Sequence, residues 1–232
     1  MRKLFFLFVF VCLSTALFAD MTVVEKVHTG PMMGKPAQDS MMTMRIKGNQ
    51  ARIEHSPDTW LLVDLGANMV YTINPAKKSI ASVSLNGAAQ TGDVFSMMAQ
   101  NMKSTLEAKP GTEVINGYKC QQYHLTTTGG VINLEGTFWI TKDVDTKEYA
   151  PFRKYGEGIL KTLKLDDLNK LEGMVIRSNL KINMMGQDIT SNSEVQSISH
   201  EAIPAATFAL PKDYTMQELK MPPMATQTAK HQ

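Results

Sequence analysis

The sequence predicts an α+β domain, mainly antiparallel sheet with two helical elements over one face. Three observations predict it. Apolar residues recur at every second position along most of the chain, the mark of strands with one buried face. The alternating segments follow one another with short loops, as in an antiparallel meander. Two stretches instead carry apolar residues at helical spacing.

The elements follow in chain order. Met42, Met44 and Ile46 point one way, and Thr43, Arg45 and Lys47 the other. Ala51, Ile53 and His55 alternate with Arg52 and Glu54, and Gly48–Asn49 between the two segments has the makeup of a hairpin turn. Trp60 to Leu65 is apolar on both faces, as in a central strand covered on each side. Met69, Tyr71 and Ile73 continue the alternation until Asn74–Pro75, and Ile80 to Leu85 adds a further strand. Val94, Met97, Met98, Met102 and Leu106 then predict one face of a helix from Val94 to Glu107, ended by Pro110–Gly111. Strands resume at Glu113–Ile115, Lys119–Thr126 and Val131–Ile140. A second helical stretch covers Lys147 to Asn169, weakened at Gly156 and Gly158. Met174 to Met184 and Gln187 to Ser199, around Met185–Gly186, form the clearest hairpin. Met32 to Asp39 reads as an early loop, and residues 216–232 as a disordered tail.

The first nineteen residues predict export. Arg2 and Lys3 precede an apolar run from Leu4 to Leu13, and Ser14 to Ala19 leads to a cut before Asp20. This is the order of a secretory signal peptide. The run is too short to cross a bilayer of about 30 Å as a helix. Cys12 follows Val9, Phe10 and Val11 rather than the small residues of a lipobox. The expected location is periplasmic or secreted, with residues 20–215 as one folded domain.

Loss of Arg2 and Lys3 takes the 24 basic residues to 22, equal to the 22 acidic ones. A neutral chain without a basic cluster has no means of neutralising phosphates, so no nucleic-acid partner is expected. Cys120 is the one cysteine left after cleavage and has no internal disulfide partner. No Gly-x-Ser-x-Gly elbow, phosphate-binding glycine loop or His-Glu-x-x-His helix occurs. His28, His55, His124, His200 and His231 are scattered, and Asp166 and Asp167 face different ways on a helix. No enzyme activity, no resident metal and no cofactor are expected.

Several stretches carry a family resemblance. They are the early strands Met42–Ile46, Arg52–His55, Leu61–Leu65 and Val70–Asn74. They continue with Val114-Ile115-Asn116-Gly117-Tyr118-Lys119-Cys120, Gly136-Thr137-Phe138-Trp139-Ile140-Thr141-Lys142-Asp143 and Phe208-Ala209-Leu210-Pro211-Lys212-Asp213-Tyr214. Over residues 21 to 215 the chain resembles secreted proteins of unknown function that share the LolA/LolB-like lipoprotein-carrier architecture. The resemblance implies an incomplete antiparallel β-barrel with helices packed over its concave face. In the carriers that concavity holds the acyl chains of a lipoprotein. Their outer-membrane partner is itself a lipoprotein. This chain has no lipidated cysteine and stands closer to the soluble carrier. The motifs do not assign the carriers' functional arginine to Arg45 or to Arg52.

The 17 methionines, several in pairs, call for an explanation. Unbranched, polarizable thioether chains adapt to varied apolar shapes. The best expectation is noncatalytic binding or transport of a lipid or lipidated protein, with a transient membrane-protein partner. Met42, Met44, Ile46, Trp60, Leu62, Met97, Met98 and Met102 are the expected lining, against ordinary core packing by the same residues. Two alternatives stand beside it. Met42 and Met44, with Met32, Met33 and His28 nearby, offer soft ligands for copper(I). An open sheet edge would suit a ligand-free interaction domain.

Overall fold

The computed structural model describes residues 20–32, 36–85, 102–129, 132–162, 171–184 and 186–218. Six strands come first: β1 (Met21–Thr29), β2 (Gln38–Lys47), β3 (Gln50–Ser56), β4 (Thr59–Asp64), β5 (Met69–Asn74) and β6 (Ser79–Ser84). Next come β7 (Lys103–Ile115), β8 (Tyr118–Thr128) and β9 (Ile132–Thr141). A 3-10 turn (Lys147–Tyr149) leads into helix α1 (Ala150–Thr162). The chain then adds β10 (Met174–Met184), β11 (Gln187–Ser199), a 3-10 turn (Ala205–Phe208) and β12 (Thr215–Glu218).

The described strands form one open sheet in the order β12-β6-β5-β4-β3-β2-β1-β11-β10-β9-β8-β7. Neighbours pair antiparallel, except that β12 runs parallel to β6. Short hairpins account for most of this topology. At the β7–β8 turn, Asn116 and Gly117 have φ of 49° and 86°, the two left-handed positions that a type I′ hairpin requires. The β1–β11 pairing closes the long connection between the first and second meanders.

Among the described residues the expected α+β class is therefore corrected to nearly all β, a large open curved sheet with one short helix. The helix expected over Val94–Glu107 fails where it can be followed, because β7 begins at Lys103. The reason lies in the spacing. Met102 and Leu106 are four apart, which suits a helix turn but is also an even number and suits a strand. Ser104 and Leu106 are half-buried while Lys103, Thr105 and Glu107 are exposed, a period of two. Leu106 lies directly opposite Leu125. Residues 86–101, with Met97 and Met98, lie outside the described residues. The second expected helix is present as Ala150–Thr162, and residues 163–170 lie outside. Pro151 falls in its first turn, where a missing N–H is tolerated. The strand β12 takes in residues 216–218, which the sequence pattern assigns to the tail. No helix among the described residues is long and apolar enough to cross a membrane. Residues 1–19 lie outside the described residues.

Two apolar clusters hold the sheet. One joins Met21, Val23, Ile46, Ala51, Ile115, Cys120, Ile176 and Val195 beneath Tyr149 and Phe152. The two rings are stacked with centroids 6.4 Å apart. The other joins Trp60, Leu62, Ile73 and Ile80 to Ile203 and Phe208, with Tyr71, Leu210 and Tyr214 packed around them. Each fully buried large side chain contributes roughly 1.5–3 kcal/mol relative to exposure. Both clusters depend on segments that cross the sheet rather than extend it.

Candidate functional site

Cross-strand register assigns every side chain of β1–β6 to a face, because residues directly opposite each other point the same way. Met21, Ile46, Ala51, Val63, Val70 and Val83 form one such line across six strands. Val23, Met44, Ile53 and Leu61 form a second line on the same face. Met44 and Val63 pack against the cluster beneath Tyr149 and Phe152, so this is the helix-covered face. Arg45, Arg52, Leu62 and Tyr71 form a line on the other side, and Thr43, Glu54, Trp60, Ile73 and Ile80 another.

Over β4–β6 the second face is covered by the chain itself. Residues 203–214 act as a strap over Trp60, Leu62, Ile73 and Ile80, all buried. Lys47 Nζ donates to the Ile203 carbonyl at 2.8 Å and Arg52 Nη1 to the Thr207 carbonyl at 2.9 Å. The Arg52 guanidinium also lies 3.9 Å from the centroid of the Trp60 ring. Glu54 accepts from Arg45 and, at 2.6 Å, from Arg52. Burial alone would raise the Glu54 carboxyl, but the two arginines outweigh it and hold the group below the usual carboxylate range.

The helix-covered face is different. Met42, Met44, Ile53, Leu61, Val63, Val70 and Val83 all remain half-buried. They make an apolar surface five strands wide, incompletely covered. At its margin a half-open cleft of about 300 Å³ is lined by Val27, Thr29, Gln38, Ser40, Met42, His55 and Ser56. On the other face of the same strands, a depression of about 350 Å³ lies around Asp39, Met41, Thr43, Glu54 and Pro57. His28 Nδ1 and Asp39 Oδ1 pair beside them at 2.6 Å. No group of three or more His, Cys, Asp or Glu suited to a metal occurs among the described residues.

The structure divides the residues expected to line one site. Met42 and Met44 lie on the helix-covered face, half-buried. Ile46 shares that face but is fully packed, at 0% exposure. Trp60 and Leu62 lie on the opposite face under the strap. Met102 is buried just before β7, and Met97 and Met98 lie outside the described residues. Ile53, Leu61, Val63, Val70 and Val83 were not among the expected lining. The Gly48–Asn49 hairpin could have identified them: pairing Ile46 with Ala51 puts Ile53 beside Met44, and the next turn carries that parity to Leu61.

Cys120 is fully buried and its Sγ lies 3.4 Å from the Tyr118 carbonyl oxygen. Burial, then the carboxylates of Glu113 and Asp143, push the thiol above its ordinary value of 9.0. At pH 8 the native thiol is therefore expected to resist iodoacetamide, with full alkylation only in denaturant. Rapid native modification, read by intact mass, would contradict this placement.

Among the described residues, sheet, strap and half-covered face together define a nearly all-β protein of the open curved-sheet class. The chain belongs to the family described as Domain of unknown function (DUF4412), whose model matches residues 30–214. No curated protein matches the sequence. Among solved structures it is similar to PNGF-II, at 13% identity and a TM-score of 0.40, over 87% of this chain and 32% of that one. The chain thus spans about a third of the length of PNGF-II. It is also similar to the LolA superfamily protein NE2245 from Nitrosomonas europaea, at 10% identity and a TM-score of 0.34, over 82% of this chain and 90% of that one. A DUF1329 family protein from Desulfovibrio piger ATCC 29098 shows 12% identity and a TM-score of 0.35, over 82% and 90% respectively.

Proposed function

We propose that this chain is a noncatalytic carrier for an apolar ligand, a lipid or the acyl chain of a lipidated protein, acting outside the cytoplasm after loss of residues 1–19. One observation carries the reading. Seven apolar side chains on the helix-covered face of β2–β6 are only half-buried, while on the opposite face the apolar side chains Trp60, Leu62, Ile73 and Ile80 of β4–β6 are buried under the strap. A contiguous, partly open apolar surface of this kind marks a site for another molecule. Met42 and Met44 contribute flexible thioethers that adapt to an alkyl chain. A transient membrane-protein partner would load or unload the ligand. The export part of the reading rests on the order of charge, apolar run and small residues in the first nineteen positions.

Mass spectrometry of the protein recovered from the periplasm or medium tests both parts. The denatured mass is expected to correspond to a chain starting at Asp20. The organic extract of the same sample is expected to hold lipid in a fixed molar ratio. An extract empty of lipid, in protein that also fails to take up added lipid, would remove the carrier reading. A retained leader would remove the export reading alone.

A further inference from the structure

Glu25 is the exception on the helix-covered face. It sits on β1 between Val23 and Val27, opposite Met42 on β2 and Val195 on β11. Its side chain is half-buried. Among the described residues it makes no hydrogen bond or ion pair. By contrast, the half-buried carboxylates Glu54 and Glu194 on the other strands are held by arginines. Leaving a carboxylate among apolar side chains without a counter-charge is unfavourable unless something supplies one.

Its position supplies the rest of the argument. Met42 and Val27 line the half-open cleft, so Glu25 stands where that cleft meets the apolar surface. The cleft's other walls are Thr29, Gln38, Ser40, His55 and Ser56, with no lysine or arginine. The local field therefore favours a cation and disfavours a phosphate or carboxylate head. From Glu25 on β1 to the far edge of the apolar surface on β6 is five inter-strand spacings, roughly 24 Å, enough for a long single chain.

We infer that the ligand is a long-chain alkylammonium amphiphile, its cationic head paired with Glu25 at the cleft and its chain laid across Met44, Ile53 and Leu61. The inference rests on the carrier reading and adds the chemistry of the head group. Binding of dodecyltrimethylammonium, dodecyl maltoside and dodecanoate, each below its micelle-forming concentration, is measured by calorimetry on the purified chain. The ammonium is expected to bind about tenfold tighter than the maltoside, the scale of one charge-assisted contact, and the dodecanoate weakest. In Glu25→Gln the ammonium-to-maltoside ratio is expected to fall to about one. Lys26→Gln, an exposed charge on the opposite face of the same strand, is expected to keep the wild-type ratio. Equal affinities for all three probes, or a ratio unchanged in Glu25→Gln, would overturn the head-group inference and leave the carrier reading standing. Failure of all three to bind would remove the carrier reading itself.

Discussion

Gly173→Ala is expected to destabilise the fold by about 3 kcal/mol or more, a large share of the stability of an ordinary domain. Gly173 has φ of +119°, a region that L side chains rarely adopt. A Cβ built there would lie 2.1 Å from the Thr141 carbonyl oxygen and 3.0 Å from its carbon. Those are backbone atoms at the end of β9, where Thr141 pairs with Met174, so neither side can swing away. The Gly173 carbonyl also accepts from Arg153 Nη2 at 3.2 Å, which ties helix α1 to the start of β10. Any shift that relieves the clash therefore strains two contacts. Gly48→Ala is the control. Its φ of 56° is also left-handed, but nothing lies within 4 Å of the added Cβ, so roughly 1 kcal/mol of backbone cost is expected. Urea unfolding of the two variants separates steric exclusion from conformational preference. Equal losses would show that the β9–β10 junction gives way easily.

Asp20→Ala is expected to cost about 2–3 kcal/mol and to loosen the strap. The Asp20 side chain is only 4% exposed, and one oxygen takes Lys47 Nζ at 2.5 Å and the Ile203 backbone N–H at 2.6 Å. Alanine leaves both donors without their acceptor. The effect falls short of that for a fully buried pair because Lys47 is 39% exposed and can turn to water. Asp20→Asn, which keeps an acceptor for the Ile203 N–H, is expected to lose about half as much. A red shift in Trp60 emission should accompany the alanine variant, since Ile203 begins the segment that covers that ring. Unaltered stability and emission would mean that the apolar contacts of Phe208 and Leu210 seat the strap alone. Position 20 is also the first residue of the expected mature chain, so cleavage before it would leave this clasp in place.

Strands were legible wherever alternation ran alone. β2, β3 and β10 show it in Met42–Met44–Ile46, Ala51–Ile53 and Ile176–Ser178–Leu180, and Gly48–Asn49 marked their first hairpin. The fold class was not legible, because a four-residue interval serves both periods. Met102 and Leu106 suit a helix face as readily as alternate positions of β7. The candidate site was half legible. Met42 and Met44 fall on the half-open face, but Trp60 and Leu62 were grouped with them on apolarity alone. A face is a property of register, and one residue of offset moves a side chain to the other side of the sheet. The strap could not be read at all. Its contacts join Phe208 to Trp60 and Arg52 to Thr207 across about 150 positions, and no local pattern encodes them. Glu25 stood in plain view between Val23 and Val27, but only the β1–β2 register places it beside Met42.

The central claim is that one face of the β2–β6 sheet takes an apolar guest and the other does not. The most direct measurement is titration of a fluorescent fatty-chain probe against Leu61→Gln and Met41→Gln, each with its thermal midpoint recorded. Leu61 lies in the half-buried apolar surface, whereas Met41 is exposed on the opposite side of β2. The predicted result is at least a tenfold loss of affinity in Leu61→Gln and wild-type affinity in Met41→Gln, about the cost of setting one amide against an alkyl chain. Equal affinities in both folded variants, or a loss confined to Met41→Gln, would contradict it.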